Sequence, residues 1–150
     1  MVQKFVLSWI DIHNIVVDLN FKTLNNDGKN IGIIGISRGG LVPAVMLSHL
    51  KNSTFFATVG INSYHNKIRG TENIYQVFDT NLLHKLDTVY LIDDICDTGK
   101  TFSYLKNNMF NMNNIKTISL IYKKNNVFKP DYYGYEVESK IWVDFPFEMG

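Results

Sequence analysis

Residues 89–102 read VYLIDDICDTGKTF, and the interpretation of the whole chain starts from them. Val89 to Ile92 form a short apolar run, which predicts a buried strand that ends at the acidic pair Asp93 and Asp94. Small hydroxyl residues and a glycine follow at 97–101, just before a segment that is typical of a helix. Backbone N–H groups and a helix N-terminus should converge there and bind a phosphate, while the carboxylates can hold a sugar diol or a magnesium ion. The stretch predicts a site for a phosphorylated sugar.

This stretch resembles the phosphoribosyl pyrophosphate signature of the type I phosphoribosyltransferases: an apolar strand, two acids, two variable residues, Asp-Thr-Gly and a hydroxyl residue two positions on. Two acids at a strand end are weak evidence by themselves, because a strand end with a solvated turn accounts for most such pairs. The resemblance implies that Asp93 and Asp94 face the ribose hydroxyls, directly or through Mg²⁺ and water. It implies that Asp97 is the general base near the purine ring nitrogen. The residues implied to hold the 5′-phosphate are Thr98, Gly99, Lys100 and Thr101.

A second strand candidate, residues 31–36, also stops at a glycine-rich junction, and a helix is predicted over 41–50. Strand, Gly-Gly turn and helix form a second anion-binding geometry, here with a guanidinium beside it. GISRGGLVPA resembles the pyrophosphate-binding loop of the same enzymes, particularly the bacterial xanthine-guanine type. The resemblance implies a non-proline cis peptide between Ser37 and Arg38. The residues implied to bind pyrophosphate in this loop are Ser37, Arg38 and Gly39.

A third strand is predicted over 55–61, followed by a polar loop over 62–70. Within that loop, Ser63 and Tyr64 resemble the Ser-Tyr pair of the flexible loop that closes over the bound substrates in this family. Arg69, together with Lys67, could neutralise pyrophosphate on closure, or both could be solvated loop charges. Residues 72–77 are expected to return as a hairpin strand.

A further strand over 117–122 ends at Lys123 and Lys124. The resemblance implies that Lys123 reaches the exocyclic oxygen of the purine; the alternative is that Lys123 is solvated and Lys124 makes this contact. Residues 125–134 look irregular. The last segment, 132–150, resembles the C-terminal hood of xanthine-guanine phosphoribosyltransferases, in which Trp142 would stack on the purine and the Val143 carbonyl would contact its opposite edge. Trp142 could equally be an ordinary core residue.

The remaining pattern predicts the fold class. Ser8 and Asp11 resemble a capping box ahead of an amphipathic helix over 9–24, and a turn follows at 25–30. Strands that alternate with helices predict an α/β fold with a doubly wound, mainly parallel sheet, whose ligand lies beyond the carboxyl ends of the strands. We expect one phosphoribosyltransferase domain over 1–150, with a small hood contributed mainly by 125–150.

Composition excludes several classes of function. The 150 residues suit one domain, and a net charge of +1 provides no overall field for nucleic acid. The single cysteine, Cys96, excludes an internal disulfide, and the four histidines lack zinc-ligand spacing. No long apolar run is present, so we expect a cytoplasmic protein.

Together these features predict a Mg²⁺-dependent purine phosphoribosyltransferase. It would join guanine, xanthine or hypoxanthine to phosphoribosyl pyrophosphate, as a homodimer or homotetramer that binds no nucleic acid. Two alternatives remain open. A transferase for adenine or a pyrimidine would keep both phosphate loops and differ near Lys123 and Trp142. A non-catalytic regulator could sense phosphoribosyl pyrophosphate in the same pocket, but it should carry a basic face, and the lysines here are dispersed.

Overall fold

The computed structural model describes residues 1–63, 72–75 and 78–148. A six-stranded sheet dominates this part of the chain, with strand order β4-β3-β2-β5-β6-β7. The helices are α1 (Trp9–Thr23), α2 (Leu41–Leu50) and α3 (Lys100–Asn108). The strands are β1 (Lys4–Val6), β2 (Ile31–Ser37), β3 (Phe55–Ser63), β4 (Glu72–Tyr75), β5 (Thr88–Cys96), β6 (Ile115–Lys123), β7 (Tyr132–Val137) and β8 (Trp142–Asp144).

The main sheet is parallel except at one edge. β2, β3, β5, β6 and β7 run in the same direction, and β4 returns antiparallel to β3 as the predicted hairpin. The chain moves outward from β2 to β3 and then starts again at β5 on the other side of β2. The order of the strands therefore reverses between β2 and β5, and ligands bind at the carboxyl ends of the strands at such a switch point. The predicted fold class is confirmed.

Helix α1 begins where the sequence predicts it. The Ser8 hydroxyl accepts a hydrogen bond from the Asp11 N–H at 3.1 Å, and the Ser8 N–H donates to the Asp11 carboxylate at 2.7 Å. These bonds from Ser8 lower the pKa of Asp11. The helix buries the apolar face that its periodicity predicts, with Ile12 and Leu19 almost fully enclosed. It ends at Thr23 and continues as a short 3₁₀ turn.

Strand β5 is the centre of the core. Val89, Tyr90, Leu91 and Ile92 are each at most 1% exposed, which confirms the predicted buried strand. Their side chains alternate: Tyr90 and Ile92 pack among residues of α1 and α2, whereas Val89 and Leu91 pack among residues of α3. A strand covered on both faces reads as a continuous apolar run, as this one does.

A buried polar cluster closes the amino end of the sheet, opposite the predicted site. The Lys51 ammonium lies 2.8 Å from both carboxylate oxygens of Asp27, and the Tyr90 hydroxyl donates to the same carboxylate at 2.6 Å. Burial lowers the pKa of Lys51, and the bonds to Asp27 partly offset this effect. Burial is also the main reason that the pKa of Tyr90 is raised. The cluster ties the turn after α1 to the turn after α2.

The expected end of β5 at the acidic pair is wrong. The strand continues through both acids to Cys96, because β6 is long enough to pair with it: Asp93 lies opposite Ser119, and Cys96 lies opposite Tyr122. The two acidic residues therefore lie within the last part of a regularly paired β-strand. They are held more firmly than residues of a loop would be.

The prediction of an irregular segment over 125–134 is wrong in its last residues, which begin β7. This strand reads YYGYEV, and the glycine in its middle weakens the strand pattern. The structure explains that glycine by close packing. A Cβ atom on Gly134 would lie 2.5 Å from the Ile15 side chain and 2.6 Å from the Leu120 carbonyl oxygen.

The predicted hood is divided between two sheets. β7 joins the main sheet, whereas β8 pairs in parallel with β1, which the sequence did not predict. Lys4 lies opposite Trp142 and Val6 opposite Asp144. The first residues of the chain thus support the C-terminal segment. Within the described ranges, no helix is both long and apolar enough to span a membrane.

Candidate functional site

The two predicted anion-binding loops lie side by side. β2 and β5 pair in parallel, with Gly35 opposite Ile92, so their carboxyl ends reach the same edge of the sheet. The loop over 37–40 approaches the acidic pair so closely that a Cβ atom on Gly39 would overlap the Asp94 carboxylate. The peptide bond between Ser37 and Arg38 is cis, as the resemblance implied.

The acidic pair is close to the surface but poorly solvated. Asp94 is 7% exposed, and Asp93 accepts a hydrogen bond from the Asp94 N–H at 2.9 Å. Burial raises the pKa of both carboxyl groups, and the adjacent Asp94 charge raises that of Asp93 further. Their ionised forms are therefore held at a cost that nearby positive charge would lower. A divalent cation with its water or substrate ligands would supply it, since Mg²⁺ is commonly bound through one or two carboxylates plus substrate oxygens.

Residues 97–101 form one wall of a cleft at the end of β5. The residues that line the cleft are Asp93, Ile95, Cys96, Asp97, Thr98, Gly99, Thr101 and Phe102. Gly99 has a φ of 85° and precedes Lys100, the first residue of α3. This left-handed conformation suits glycine and turns the chain into the helix, whose first N–H groups are free of intrahelical partners and can bind an anion. The Lys100 N–H donates to the Thr98 hydroxyl at 3.3 Å, and the Lys100 side chain is exposed.

Lys123 is the buried member of the lysine pair. It is the last residue of β6, and its ammonium lies 3.8 Å from the Asp97 carboxylate. The Lys123 side chain is 10% exposed, whereas that of Lys124 is 54% exposed and pairs with Glu138 at 3.3 Å. The bond to Glu138 is the main cause of the raised pKa of Lys124. The geometry favours Lys123 as the residue that can reach a ligand in the site.

The hood residues differ in exposure. Trp142 is 56% exposed, and its indole N–H donates to Asp144 at 2.7 Å, so it is not an ordinary core residue. Val143 has a buried side chain. The Trp142 N–H and the Asp144 carbonyl both bond to the β1 side. Because successive backbone groups alternate along a strand, Val143 directs its own N–H and carbonyl toward the opposite edge.

Two residues close to this site were not predicted from the sequence. Asn125 bonds to the backbone of both Asp97 and Lys123. Its position two residues after the end of β6, in a stretch where asparagine often forms a turn, was the available signal. Glu148 lies near the acidic pair: burial raises the pKa of its carboxyl group, as do the charges of Asp94 and Asp144. Nothing in the local pattern around Glu148 indicated that proximity.

The flexible-loop predictions fall mostly on residues outside the described ranges. Tyr64, Lys67 and Arg69 lie outside them. Ser63 is the last residue of β3, and its backbone pairs with Glu72 of β4. Within the described residues, no three His, Cys, Asp or Glu side chains meet as a metal cluster.

The two glycines of the 37–40 loop should respond differently to alanine. A Cβ on Gly39 would collide with a side chain, the Asp94 carboxylate, whereas one on Gly40 would collide with backbone carbonyls, including Ile36 O at 2.7 Å. We expect Gly39→Ala to weaken binding of an anionic ligand about tenfold with a small change in Tm. We expect Gly40→Ala to lower Tm by several degrees, since overpacking against backbone costs about 1–3 kcal/mol. Calorimetric titration measures the anion affinity of each variant, and thermal unfolding measures its Tm. An equal loss of Tm in the two variants would contradict the prediction that only Gly40→Ala strongly destabilises the fold.

Comparison with known proteins gives a consistent result. Residues 8–150 match the family model described as phosphoribosyl transferase domain. The chain is 29% identical to the xanthine-guanine phosphoribosyltransferase of Chromohalobacter salexigens, over 99% of this chain and 86% of that protein. It is 29% identical to the hypoxanthine-guanine phosphoribosyltransferase of Lactococcus lactis, over 82% of this chain and 70% of that protein. A solved purine phosphoribosyltransferase from Pyrococcus horikoshii superposes with a TM-score of 0.82 at 26% identity, covering 98% of this chain and 95% of that one.

Proposed function

This chain belongs to the phosphoribosyl transferase domain family, and from that premise we propose that it transfers the 5-phosphoribosyl group of phosphoribosyl pyrophosphate to a 6-oxopurine. The products would be the nucleoside 5′-monophosphate and pyrophosphate. The relatives named above, which act on xanthine, hypoxanthine or guanine by their names, support this choice of base. Membership of the family confirms the resemblance seen in residues 89–102 and 35–44.

One observation carries the proposal: three groups of residues with different chemistry lie at the carboxyl ends of the neighbouring strands β2, β5 and β6. The 37–40 loop follows β2, the acidic pair and the 97–101 loop follow β5, and Lys123 ends β6. In this arrangement Ser37, Arg38 and Gly39 would bind pyrophosphate, the 97–101 loop would bind the 5′-phosphate, and Lys123 would contact the base. A donor that carries phosphates at both ends of a ribose matches that order, because each anionic end would meet its own N–H-rich turn.

The reaction would be a displacement at the anomeric carbon. The bond from C1′ to the pyrophosphate oxygen breaks and its electron pair leaves with pyrophosphate, while a purine ring nitrogen forms the new bond to C1′. Asp97 would accept the proton that the ring nitrogen loses; its carboxylate is 60% exposed at the mouth of the cleft. Asp93 and Asp94 would hold the ribose hydroxyls. Positioning and stabilisation of the developing positive charge would supply most of the rate.

Magnesium is the metal that this site fits. The donor set consists of carboxylate oxygens from Asp93 and Asp94, which are hard ligands, and burial raises the pKa of both groups, so a cation beside them would favour their ionised forms. When bound, the ion would neutralise charge on the donor and on the departing pyrophosphate. The two carboxylates would also accept hydrogen bonds from the ribose diol, and this contact does not require the ion.

Ser63, Tyr64 and Arg69 complete the proposal as parts of a loop that closes over the substrates. The family resemblance supports this role, and the position of Ser63 at the carboxyl end of β3 supports it as well. Closure would exclude water from the anomeric carbon, and the Arg69 guanidinium would pair with pyrophosphate.

We further infer that the protein works in the cytoplasm as a homodimer or homotetramer. The highly charged donor cannot cross a bilayer unaided, so enzyme and donor should share a compartment. Helix α2 has no Asp, Glu, Lys or Arg, yet it exposes Val45 and Leu50, and Phe56 is 42% exposed on the α2 side of β3. Two copies could bury this apolar surface without like-charge repulsion. Sedimentation equilibrium measures the assembly; a monomer at all concentrations would contradict it.

A radiolabelled-base assay tests the proposal directly. Purified protein, phosphoribosyl pyrophosphate and Mg²⁺ are incubated with each of guanine, xanthine, hypoxanthine, adenine and uracil. We expect nucleotide from at least one of the first three bases and loss of product when the metal is chelated. Product from adenine or uracil alone would indicate a transferase for another base. Tight donor binding without turnover on any base would indicate a sensor instead of an enzyme.

A further inference from the structure

Asn125 makes a saturated set of hydrogen bonds between two parts of the site. Its side-chain NH₂ group donates to the Asp97 carbonyl at 2.9 Å and to the Lys123 carbonyl at 3.0 Å. Its side-chain oxygen accepts from the Val127 N–H and the Phe128 N–H, both at 2.8 Å. An amide has two donors and two good acceptor positions, so every one of them is used here.

The orientation of this amide follows from its neighbours. Two carbonyl oxygens face one side of it and two N–H groups face the other, so the reverse orientation would oppose acceptor to acceptor and donor to donor. No shorter or singly functional side chain can satisfy all four groups. Aspartate would keep the two acceptor bonds and lose both donors, and serine would keep one acceptor bond to the turn.

The acceptor side of Asn125 builds a turn that supports the 97–101 loop. Phe128 stacks on Phe102 of α3, with ring centroids 5.4 Å apart and planes inclined by 12°. A Cβ atom on Gly99 would lie 2.8 Å from Phe128 Cβ and 3.1 Å from the Asn125 side-chain oxygen. The 125–128 turn is thus in direct contact with the loop proposed to bind the 5′-phosphate.

The donor side of Asn125 joins the two residues proposed to meet the base. Asp97 follows β5 and Lys123 ends β6, and their side chains lie 3.8 Å apart at the mouth of the cleft. Their carbonyl groups are bridged by one NH₂ group. This bridge fixes the separation of the two backbone segments from which the acid and the ammonium extend. A shift of either segment would misalign its side chain with a purine that both side chains contact along one edge.

We propose that Asn125 is a positioning residue for base transfer, a role that rests on the proposed function. It holds Asp97 and Lys123 in register with the purine. Its amide bonds go to residues 97, 123, 127 and 128, so the N–H groups of residues 98–101, which would bind the donor, depend on it through the packing of the 125–128 turn against Gly99. The proposal separates two effects that a merely structural residue would change together. Loss of the bridge should impair the use of the base and spare the binding of the donor.

The test compares Asn125→Ser with the wild type and with Asn126→Ser, a matched change at the exposed next residue. Three quantities are measured for each protein: Tm, the donor Kd by calorimetry without base, and kcat and KM for guanine at saturating donor. For Asn125→Ser we expect kcat/KM for guanine to fall about tenfold, which corresponds to the loss of one or two hydrogen bonds, with the donor Kd within about threefold of wild type. The Asn126→Ser control should match the wild type.

Each other outcome is decisive. Equal loss of donor affinity and guanine efficiency would overturn the proposal, because Asn125 would then only build the 97–101 loop. Unchanged guanine efficiency in Asn125→Ser would overturn it as well. If the serine variant does not fold, Asn125→Asp, which keeps both acceptor bonds, replaces it and is judged by the same two quantities, the donor Kd and kcat/KM for guanine. A wild-type protein without turnover on any base would overturn the proposed function itself, and with it this role of Asn125.

Discussion

Replacing Asp93 and Asp94 together with asparagine should abolish productive donor binding while the protein stays folded. We expect the Kd for phosphoribosyl pyrophosphate with Mg²⁺ to rise by about a hundredfold or more. Hydrogen bonds to a charged group contribute about 1.5–3 kcal/mol each, and an amide neither accepts the ribose diol as strongly nor holds the metal as well. Isothermal titration calorimetry of the donor measures this effect, and the guanine assay should lose activity in parallel.

The same variant should keep its thermal stability. Burial raises the pKa of both carboxyl groups, which means that their ionised forms are held at a cost in the folded protein without a cation. Neutral amides of nearly the same size remove that cost, so Tm without metal should equal or exceed that of the wild type. Asp18→Asn, at an exposed acid that pairs with Lys22 on α1, is the control for loss of negative charge. Donor affinity unchanged in the double variant would refute the assignment of Asp93 and Asp94.

Much of the fold could be predicted because several elements carry local signals at both ends. Helix α1 has a capping box at Ser8 and Asp11, and α2 follows a Gly-Gly junction with Pro43 in its first turn; both begin at the predicted residue. The signals in these elements are side-chain periodicity and backbone chemistry within a few residues. These signals do not depend on contacts with distant parts of the chain.

The strands that were missed depend on distant partners. β1 has three residues, and it pairs with β8, more than a hundred residues further along the chain. β7 contains Gly134, which looks like a strand breaker until Ile15 of α1 is seen to pack against it. Strand propensity is weak without knowledge of the neighbouring strand, so neither element could be found from its own residues.

The residues of the candidate site divide in the same way, into those that one continuous stretch predicts and those that only distant contacts bring close. Asp93, Asp94 and the 97–101 loop could be predicted because one continuous stretch holds them, and the cleft indeed brings most of them together. Asn125 and Glu148 come from other segments, and their proximity to Asp97 and Asp94 arises only when β6 and the hood reach the same edge. The choice between Lys123 and Lys124 also needed the fold, since adjacent residues at a strand end differ only in the side that each one faces.

Lys123 should decide which purine is used. Its ammonium has three donors and no acceptor, so it can satisfy a 6-oxo group but would oppose the amino group of adenine donor to donor. Because the Lys123 side chain is only 10% exposed, water cannot readily replace the missing partner. An unpaired buried donor costs about 1–3 kcal/mol, which corresponds to a preference for guanine over adenine of about tenfold to a hundredfold from this contact. Trp142, stacked on the ring, would not distinguish the two bases.

Separate Lys123→Met and Lys124→Met variants test this assignment. We expect Lys123→Met to lower kcat/KM for guanine about tenfold to a hundredfold and to narrow the ratio of guanine to adenine efficiency. Lys123 also pairs with Asp97, and loss of that pair would lower the efficiency for both bases alike, so the ratio isolates the contact with the exocyclic group. Lys124→Met, at an exposed residue paired with Glu138, should keep the wild-type ratio. Near-wild-type guanine turnover in Lys123→Met would exclude Lys123 from base recognition, and a collapse of the ratio in Lys124→Met would transfer that role to Lys124.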